Sequence, residues 1–249
     1  MAVVDSAAGA AIYFPLFLRT IYDTLVLWFY CSYIWRCSST KLRIFYNNRI
    51  SSIEKQESVS TKSSDPVRLL DIGVGTGYFL EHAPLPAGCE VTLVDLNHHC
   101  LKAAASRVVK SHPSALVRTV HADFLDPDMG SDLAISPNRL GEAKFDVISC
   151  FLLLHCLPGP PERKAEAVIR LHRHLNTNGV IVGATVLGKG VAHNLPARAI
   201  MLLHNLLGIF DNYPDDVQGL IGPLQTFFET VKWEVVGTTL LFEVKQPKL

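Results

Sequence analysis

A glycine-rich segment, "LLDIGVGTGYFL" at residues 69–80, has the residue types of a loop that holds a nucleotide-like cofactor. Gly73, Gly75 and Gly77 follow an apolar run that predicts a buried strand, and a helix is expected to begin at Tyr78. Glycine adopts positive φ angles and lets backbone N–H groups approach a ligand, and a helix N-terminus favours a negative or polar group. Because dinucleotide-binding loops have the spacing GxGxxG, this GxGxG loop predicts a cofactor without specifying which one.

Acidic residues stand beside the glycine loop and at the ends of the next two predicted strands. Asp71 directly precedes the loop, and Asp95 ends the strand "CEVTLVDL", 22 residues after Gly73. A carboxylate at that point can accept hydrogen bonds from both hydroxyls of a ribose. Asp123 ends the third predicted strand and is followed by Phe124. An acid and a ring in this place can bind an adenine through its amino group and its ring plane.

Histidines are the candidate proton acceptors. His155 lies in "FLLLHCLPG", directly after the fourth predicted strand, where an open α/β sheet places its reaction centre. It can act as a base near neutral pH, or it can fix its loop through a hydrogen bond to the backbone. His193, Asn194, His204 and Asn205 lie in an insertion before the last two strands. His193 and His204 are further catalytic candidates, and Asn194 and Asn205 are candidate substrate contacts. Helix packing or a surface position is the alternative for each.

The order of predicted elements defines the fold class. Five βα-type units and a C-terminal hairpin around Gly237 predict an α/β protein with a doubly wound, Rossmann-like sheet of seven strands and an antiparallel C-terminal hairpin. The preceding region predicts a helical lid and a polar linker. The expected divisions are a lid at residues 1–50, a linker at 51–65, and a main domain at 66–249 with a helical cap inserted at about 190–230.

Composition excludes several classes of function. The 23 basic and 23 acidic residues of this 249-residue chain balance, so the overall charge does not favour a nucleic-acid partner. The six cysteines form no CxxC pair and no zinc-finger spacing, and no cluster of metal ligands is apparent. Buried, reduced thiols are the expected state, which indicates a reducing compartment and a cytoplasmic protein.

Four segments, "DIGVGTG", "LVDLN", "HADF" and "FLLLHCLPG", together resemble the motifs of class I S-adenosylmethionine-dependent methyltransferases over residues 66–186. The pieces "YFL", "LLLHCLPG" and "VGATVLG" further resemble small fungal methyltransferases of the ubiquinone-biosynthesis type, which are often associated with secondary metabolism. The resemblance implies S-adenosyl-L-methionine as the cofactor and the class I sheet as the fold.

The same resemblance implies a role for each candidate cofactor residue. Asp71 would hold the methionine amino group, directly or through water. Asp95 would bind the ribose diol, and Leu96 would lie against the adenine. The other implied contacts are Gly73, Gly75, Thr76 and Gly77 around the methionine and ribose, Asp123 and Phe124 at the adenine, and Phe151 and Leu152 on the sulfonium side.

An aromatic stretch, "IYFPLFLRTIYDTLVLWFYCSYIW", occupies residues 12–35. No basic region precedes it, as a signal peptide would require, and Arg19 and Asp23 interrupt it as a membrane span. The resemblance implies a lid over the cofactor and acceptor, and packing on the domain is the alternative for each ring. A peripheral membrane contact stays open, because basic residues follow the stretch. The implied lid contacts are Tyr22 at the methionine end of the cofactor, and Tyr13, Phe17 and Trp35 along the acceptor pocket.

These observations favour methyl transfer to a lipophilic small molecule. The insertion "LPARAIMLLHNLLGIF" is apolar on most sides and predicts a cap over an apolar pocket, so we expect a polyketide, terpenoid or phenol acceptor methylated on oxygen. One alternative is an enzyme of the same fold that binds the cofactor but catalyses a non-methylating reaction, such as a pericyclic cyclisation. A protein or RNA methyltransferase is disfavoured, because the chain has neither a basic stripe nor an "NPPY"-type motif.

Overall fold

Seven strands form one mixed sheet in the computed structural model, which describes residues 23–57 and 65–248. The strands are β1 (Arg68–Ile72), β2 (Glu90–Asp95), β3 (Leu116–His121), β4 (Phe145–Phe151), β5 (Leu175–Val186), β6 (Phe228–Val236) and β7 (Thr239–Pro247). They pair in the order β3-β2-β1-β4-β5-β7-β6. Strand β7 runs antiparallel to β5 and β6, and the remaining pairs are parallel. The predicted doubly wound sheet with an antiparallel C-terminal hairpin is therefore confirmed.

The strand order reverses beside β1, and this reversal places the site. Strand β1 pairs with β2 on one side and with β4 on the other, and all three are parallel. The connection after β1 leads to β2 on one side of β1, whereas β4 lies on the other side of β1. Such a reversal leaves a crevice at the carboxyl ends of the strands, where open α/β sheets bind ligands. The glycine loop after β1 and the His155 loop after β4 both lie at this edge.

Helices cover both faces of the sheet. Leu69 of β1 belongs to a core cluster that contains Tyr46, whereas its neighbour Leu70 belongs to a second cluster that contains Val168. Because successive side chains of a strand point to opposite faces, the two clusters are the two sides of one sheet. The helices are a π-helix (Asp23–Ile34), α1 (Ser39–Glu57), α2 (Tyr78–Glu81), α3 (His98–Ser111), α4 (Pro161–Arg170), α5 (Leu195–Leu206) and α6 (Val217–Phe227), with 3₁₀ turns at Leu154–Cys156 and Leu171–His174.

The C-terminal hairpin fastens the N-terminal segment to the sheet. Gly237, in the turn between β6 and β7, has φ +61°, and a Cβ atom there would collide with the backbone carbonyl of Trp35. The adjacent Thr238 donates a backbone hydrogen bond of 2.9 Å to that same carbonyl oxygen. Only glycine therefore allows the hairpin to approach the end of the π-helix so closely.

Helix α1 corrects the predicted boundary between lid and linker. It continues to Glu57 and so includes the first part of the expected linker at residues 51–65. Leu42, Tyr46 and Ile50 recur at i, i+4 and i+8, and all three are buried in the core. The polar end "EKQE" was interpreted as a linker, although Glu, Lys and Gln are good helix formers. The described part of the N-terminal region is thus continuous with the domain core.

The two helices of the predicted cap insertion, at about residues 190–230, lie in different parts of the fold. Its second helix, α6, packs against α4, and Leu220, Ile221 and Leu224 are buried there in the main core. Only α5 and the turn after it approach the crevice. Across residues 23–57 and 65–248, no helix combines the length and the apolar character that crossing a membrane requires.

Candidate active site

A cavity of about 250 Å³ lies at the carboxyl ends of β1, β2 and β4. It brings together predicted residues that are distant in sequence, from the N-terminal segment to α5. Most of the cofactor candidates line it, which is what a single cofactor site requires. The predicted residues in its wall are Trp35, Gly73, Gly75, Thr76, Asp95, Leu96, Asp123, Phe124, Phe151, Leu152, His155 and His204.

The glycine loop has the backbone geometry that its sequence predicts. Gly73, Gly75 and Gly77 have φ values of +69°, +53° and +77°. The N–H of Gly73 donates to the carbonyl oxygen of Val94 at 2.8 Å, which fixes the loop to the end of β2. A Cβ atom on Gly75 would meet no atom within 4 Å, so this part of the loop faces open space. The loop therefore presents backbone to the cavity, as close contact with a ligand requires.

Gly77 has a different function from the other two loop glycines. It precedes α2 and is absent from the cavity wall. A Cβ atom there would lie 2.9 Å from the backbone Cα of Ala104 in α3. Its contribution is close packing between the loop and a neighbouring helix, which holds the loop in position.

Asp95 occupies the expected place for a ribose-binding acid. One of its carboxylate oxygens accepts the N–H of Gly75 at 3.2 Å, and the other accepts the N–H of Asn97 at 2.8 Å. Burial raises the pKa of Asp95 above its usual value, and these two N–H donors partly oppose that rise. Since a carboxylate oxygen can accept more than one hydrogen bond, both oxygens retain the capacity to bind a diol at the cavity.

Asp123 and Phe124 form the adjoining wall at the end of β3. The Oδ1 atom of Asp123 accepts the N–H of Leu125 at 2.9 Å, which orients the carboxylate in its loop. Phe124 is buried and lines the cavity. Together with Leu96, these residues give the cavity a flat apolar surface next to an acid, which fits an adenine. The residues of this half of the cavity thus fit an adenosyl cofactor.

Asp71 has different contacts from those that the resemblance implies. It is absent from the cavity wall and accepts a hydrogen bond from the Ser149 hydroxyl, below the glycine loop. Burial raises the pKa of Asp71 to about 7, the hydrogen bond from Ser149 opposes the rise, and the charge of Asp95 adds to it. Burial raises the pKa of the Tyr46 phenol in α1, and the nearby charge of Asp71 adds to that rise. Asp71 therefore links β1 to β4, lies near Tyr46, and is absent from the cavity wall.

The other half of the cavity has an aromatic floor. The Phe151 ring lies 5.0 Å from the ring of Tyr46 and 5.1 Å from that of Phe79, measured between centroids. The next residue, Leu152, has φ +55°, and its N–H donates to the carbonyl oxygen of Ala184 at 2.7 Å. A non-glycine residue in this region is sterically unfavourable and persists only where its surroundings hold it. The chain turns sharply here, so that Leu152 and Leu153 both line the cavity.

His155 and His204 meet at the end of the cavity away from the glycine loop. Both rings contact Phe210, at centroid distances of 4.5 Å for His155 and 4.7 Å for His204. The N–H of Val186 points to Nδ1 of His155 at 3.3 Å, which assigns the ring proton to Nε2. Burial, with the nearby positive charge of Lys164, lowers the pKa of His155 to about 3. His155 is therefore neutral, and its Nε2–H group can donate a hydrogen bond.

The environment of His204 differs from that of His155. Burial lowers the pKa of His204, so this ring is also neutral near pH 7. Its Nδ1 atom is buried and has no hydrogen-bond partner within the described part of the chain. A buried polar atom without a partner is uncommon and costs free energy, which a bound ligand can recover. The imidazole of His204 thus lacks a structural hydrogen bond of the kind that occupies His155.

Three predicted residues lie outside the cavity wall. Asn194 caps α5, accepting the N–H of Ala197 at 2.7 Å and donating to the carbonyl oxygen of Tyr33 at 3.1 Å. Asn205 donates to the side-chain oxygen of Asn212 at 3.1 Å. His193 is half-buried in the segment before α5, and both of its ring nitrogen atoms are buried without a hydrogen-bond partner among the described residues. The functions of these three residues at the acceptor stay predictions. Tyr13, Phe17 and Tyr22 lie outside the described residues.

Several wall residues were not identified from the sequence. Tyr30 and Cys31 of the π-helix, Cys156 after β4, and Ile209 and Phe210 after α5 all line the cavity. Tyr30 and Phe210 belong to two apolar segments that were expected to approach the acceptor. Their individual positions could not be chosen, because every neighbouring residue in those segments is also apolar. No group of His, Cys, Asp or Glu within residues 23–57 and 65–248 has the arrangement of a metal site.

Comparison with known proteins identifies the family. The chain matches the family described as "Methyltransferase domain" over residues 45–213. It is 36% identical over 242 residues to a physcion biosynthesis cluster O-methyltransferase from Aspergillus chevalieri, covering 97% of this chain and 96% of the relative. It is 32% identical over 250 residues to the methyltransferase aurB from Calcarisporium arbuscula, covering 91% of this chain and 96% of the relative.

Solved structures agree with the fold. The crystal structure of the N-methyltransferase NodS from Bradyrhizobium japonicum, in complex with S-adenosyl-L-homocysteine, superposes with a TM-score of 0.54. That match covers 84% of this chain and 88% of NodS at 14% sequence identity, so it carries information on the fold alone. From the family match and the full-length relatives, the chain belongs to the methyltransferase-domain family, whose methyl donor is S-adenosylmethionine.

Proposed function

We propose that this methyltransferase transfers a methyl group to an oxygen atom of a lipophilic small molecule, a fungal secondary metabolite. The observation that supports this most strongly is the continuity of one cavity. The adenosyl-binding wall at Asp95 and Asp123 passes directly into a chamber of rings that contains two neutral histidines. The relatives agree with this reading, since one of them is named as an O-methyltransferase of a physcion biosynthesis cluster.

His204 is the proposed base for the acceptor hydroxyl. S-adenosylmethionine supplies an electrophilic methyl group, and methylation of a hydroxyl releases its proton. His204 is neutral, lines the cavity and has a ring nitrogen with no protein partner among the described residues. As the methyl group would pass from the cofactor sulfur to the acceptor oxygen, the sulfur–methyl bond would break and S-adenosylhomocysteine would leave. The hydroxyl proton would then be held by the His204 imidazole, so that no proton is left on the product oxygen.

His155 has a positioning function in this proposal. Its Nδ1 atom is occupied by the N–H of Val186, and a pKa of about 3 makes it a poor base at neutral pH. The Nε2–H group can instead donate a hydrogen bond to a carbonyl or hydroxyl oxygen of the acceptor. Contact with Phe210 holds both histidine rings, which favours an acceptor that carries two neighbouring oxygen atoms.

The chamber walls favour a flat, apolar acceptor. Tyr30, Trp35 and Phe210 enclose the histidine end of the cavity, and Phe151 forms its floor. Rings at these positions exclude water and offer surfaces on which an aromatic acceptor can pack. We therefore retain the proposed lid function for the N-terminal region, in which Tyr13, Phe17 and Tyr22 stay predictions. The proposed compartment is the cytoplasm, because five of the six cysteine side chains are buried, as reduced thiols generally are.

The test is transfer of a labelled methyl group. The full chain is incubated with S-adenosylmethionine that carries a deuterated methyl group and with a panel of lipophilic phenols and enols. We expect a product that gains one labelled methyl group on oxygen, identified by mass spectrometry and by its fragmentation. Label in RNA or protein, with no labelled small molecule, would contradict the proposal. A product of unchanged mass formed only when the cofactor is present would instead support a non-methylating reaction.

A further inference from the structure

Helix α5 turns an apolar face away from the protein. Its buried side contains Ala197 and Met201, whereas the leucines on its opposite side are solvent-exposed. Leu202 is 51% exposed and Leu206 is 76% exposed, and they lie four residues apart on one helical face. Surface helices of globular proteins normally show the reverse pattern, with polar residues outward. The exposed members of this leucine face are Leu195, Leu202, Leu203, Leu206 and Leu207.

The π-helix adds exposed rings beside this leucine face. Trp28 and Tyr33 are each more than half exposed, and their ring centroids are 5.8 Å apart. The π-helix contacts α5 at two points: the carbonyl oxygen of Tyr33 accepts from Asn194 at 3.1 Å, and the ring of Tyr30 lies 5.8 Å from that of His204. We refer to the leucine face together with Trp28, Phe29 and Tyr33 as the lid surface.

Basic residues without an acidic partner lie beside the lid surface. Residues 24–53 and 187–210 together contain six Lys and Arg residues. Three of the six, Lys41, Arg49 and Lys189, pair with Glu234, Glu243 and Asp216. Arg36 and Arg198 are exposed and pair with no carboxylate in the described part of the chain. Leucines and rings with basic residues at the edge are the composition of a surface that lies on anionic lipid.

The lid surface is also continuous with the cavity. The π-helix contributes Leu27, Tyr30 and Cys31 to the cavity wall, and α5 contributes His204. Each of the two elements thus has one side on the cavity and another side in the exposed apolar surface. Trp and Tyr favour the boundary between lipid and water, and exposed leucines favour the acyl region below it.

We propose that the lid surface docks on the surface of an anionic lipid bilayer, with the leucine face of α5 and the rings of the π-helix in the headgroup region. Docking there places the chamber next to the phase in which a lipophilic acceptor dissolves, a consequence that rests on the proposed function. The docking itself does not depend on methyl transfer. An experiment can therefore contradict membrane docking without contradicting methyl transfer, and the reverse is also true.

The experiment is vesicle flotation of the full chain without cofactor or acceptor. Vesicles of phosphatidylcholine are compared with vesicles that also contain phosphatidylserine. The test variant is Leu202→Glu with Leu206→Glu. The matched control is Val109→Glu with Leu116→Glu, which replaces two residues that are 51% and 64% exposed on α3 and β3 and adds the same charge. Thermal unfolding of each variant verifies that it is folded.

We expect the wild type and the control to float with the phosphatidylserine vesicles, and the test variant to bind at least about tenfold more weakly, because two leucines no longer bury their surface in lipid. Equal binding of the test variant and the control would overturn the proposal. A wild type that does not float would also overturn it. If that wild type is dimeric in solution and the test variant is monomeric, the lid surface is an interface between two copies of the chain.

Discussion

The two halves of the cavity are built on different principles. The cofactor half lies at the ends of β1, β2 and β3, where hydrogen bonds of the sheet and the glycine loop set every position. The acceptor half consists of side chains from the π-helix, the 3₁₀ turn after β4 and the turn after α5. We infer that the sheet and the glycine loop fix the backbone on which Asp95 and Asp123 stand, whereas the acceptor half consists of side chains that can change without altering the sheet.

Removing the proposed base should have the largest effect. His204→Ala is expected to lower kcat by about 10²–10⁴-fold, the usual contribution of a general base, while the cofactor affinity stays unchanged. Steady-state kinetics and calorimetry measure the two quantities separately. His193→Ala is the control, since this histidine lies outside the cavity wall, and its kcat should match the wild type. If His204→Ala keeps the wild-type kcat, His204 is not the general base. The acceptor half then loses the catalytic group that distinguishes it from the cofactor half.

Removing Asp95, the proposed hydrogen-bond acceptor for the ribose hydroxyls, should have the next largest effect. Asp95 lies in the cofactor half of the cavity. Asp95→Ala is expected to weaken cofactor binding about 100-fold, since two hydrogen bonds to a charged group contribute about 1.5–3 kcal/mol each, partly offset by rearrangement. Calorimetric titration with S-adenosylhomocysteine measures the change. Asp132→Ala, at an exposed acid of the loop after β3, serves as the control. If Asp95→Ala binds like the control, the assignment of Asp95 is incorrect.

Two buried groups, Asp71 of β1 and His155 in the acceptor half, should change the stability of the protein with pH in opposite directions. Native Asp71 has a pKa of about 7 against 3.8 when unfolded, so it holds a proton that the unfolded chain has lost, and stability falls as pH rises from 3.8 to 7. Native His155 has a pKa of about 3 against 6.5, so stability falls as pH decreases from 6.5 to 3. Each effect is at most about 5 kcal/mol, at about 1.4 kcal/mol per pKa unit.

Thermal unfolding between the two pH limits tests this contrast. Asp71→Asn should remove the loss of stability toward neutral pH, and His155→Gln should reduce the loss toward acid. If thermal stability depends on pH in the same way in the wild type and in both variants, then neither Asp71 nor His155 is buried as the structure describes.

The glycine loop provides the smallest and most local test. Gly77→Ala places a Cβ atom 2.9 Å from the Ala104 backbone at positive φ, whereas Gly75→Ala meets no atom within 4 Å. Gly75→Ala should lower the free energy of unfolding by about 1–2 kcal/mol because of its positive φ angle alone. Gly77→Ala should lower it by about 1 kcal/mol more, because its Cβ atom also meets Ala104. Chemical denaturation measures both. A larger loss for Gly75→Ala would contradict the packing function of Gly77.

The sequence predicted the glycine loop and the strand ends near Asp95 and Asp123, because these features depend on local patterns. The contacts of these residues with the cofactor stay predictions. The glycine spacing, the acids at strand ends and the alternation of strands and helices each act over a few residues. Asp71 is the exception: whether it faces the cavity or Ser149 depends on β4, which lies far along the chain. The local sequence around Asp71 is the same in either arrangement, so it does not show which of the two forms.

The acceptor half was predicted less completely because it depends on long-range contacts between apolar segments. The contact of Tyr30 with His204, and that of Phe210 with His155, join segments that carry no distinguishing pattern. Asn194 and Asn205 were expected in the pocket because of their position in the chain. Asn194 instead caps the N-terminus of α5, and Asn205 exchanges hydrogen bonds with Asn212.

A crystal structure of the full chain with S-adenosylhomocysteine tests the central claim most directly, because it shows where one molecule meets the two halves. We predict that the ribose hydroxyls bind Asp95, that the adenine lies between Asp123 and Leu96, and that the sulfur atom faces the chamber of Phe151, His155 and His204. A molecule whose sulfur atom points away from that chamber, or whose ribose lies apart from Asp95, would contradict the account.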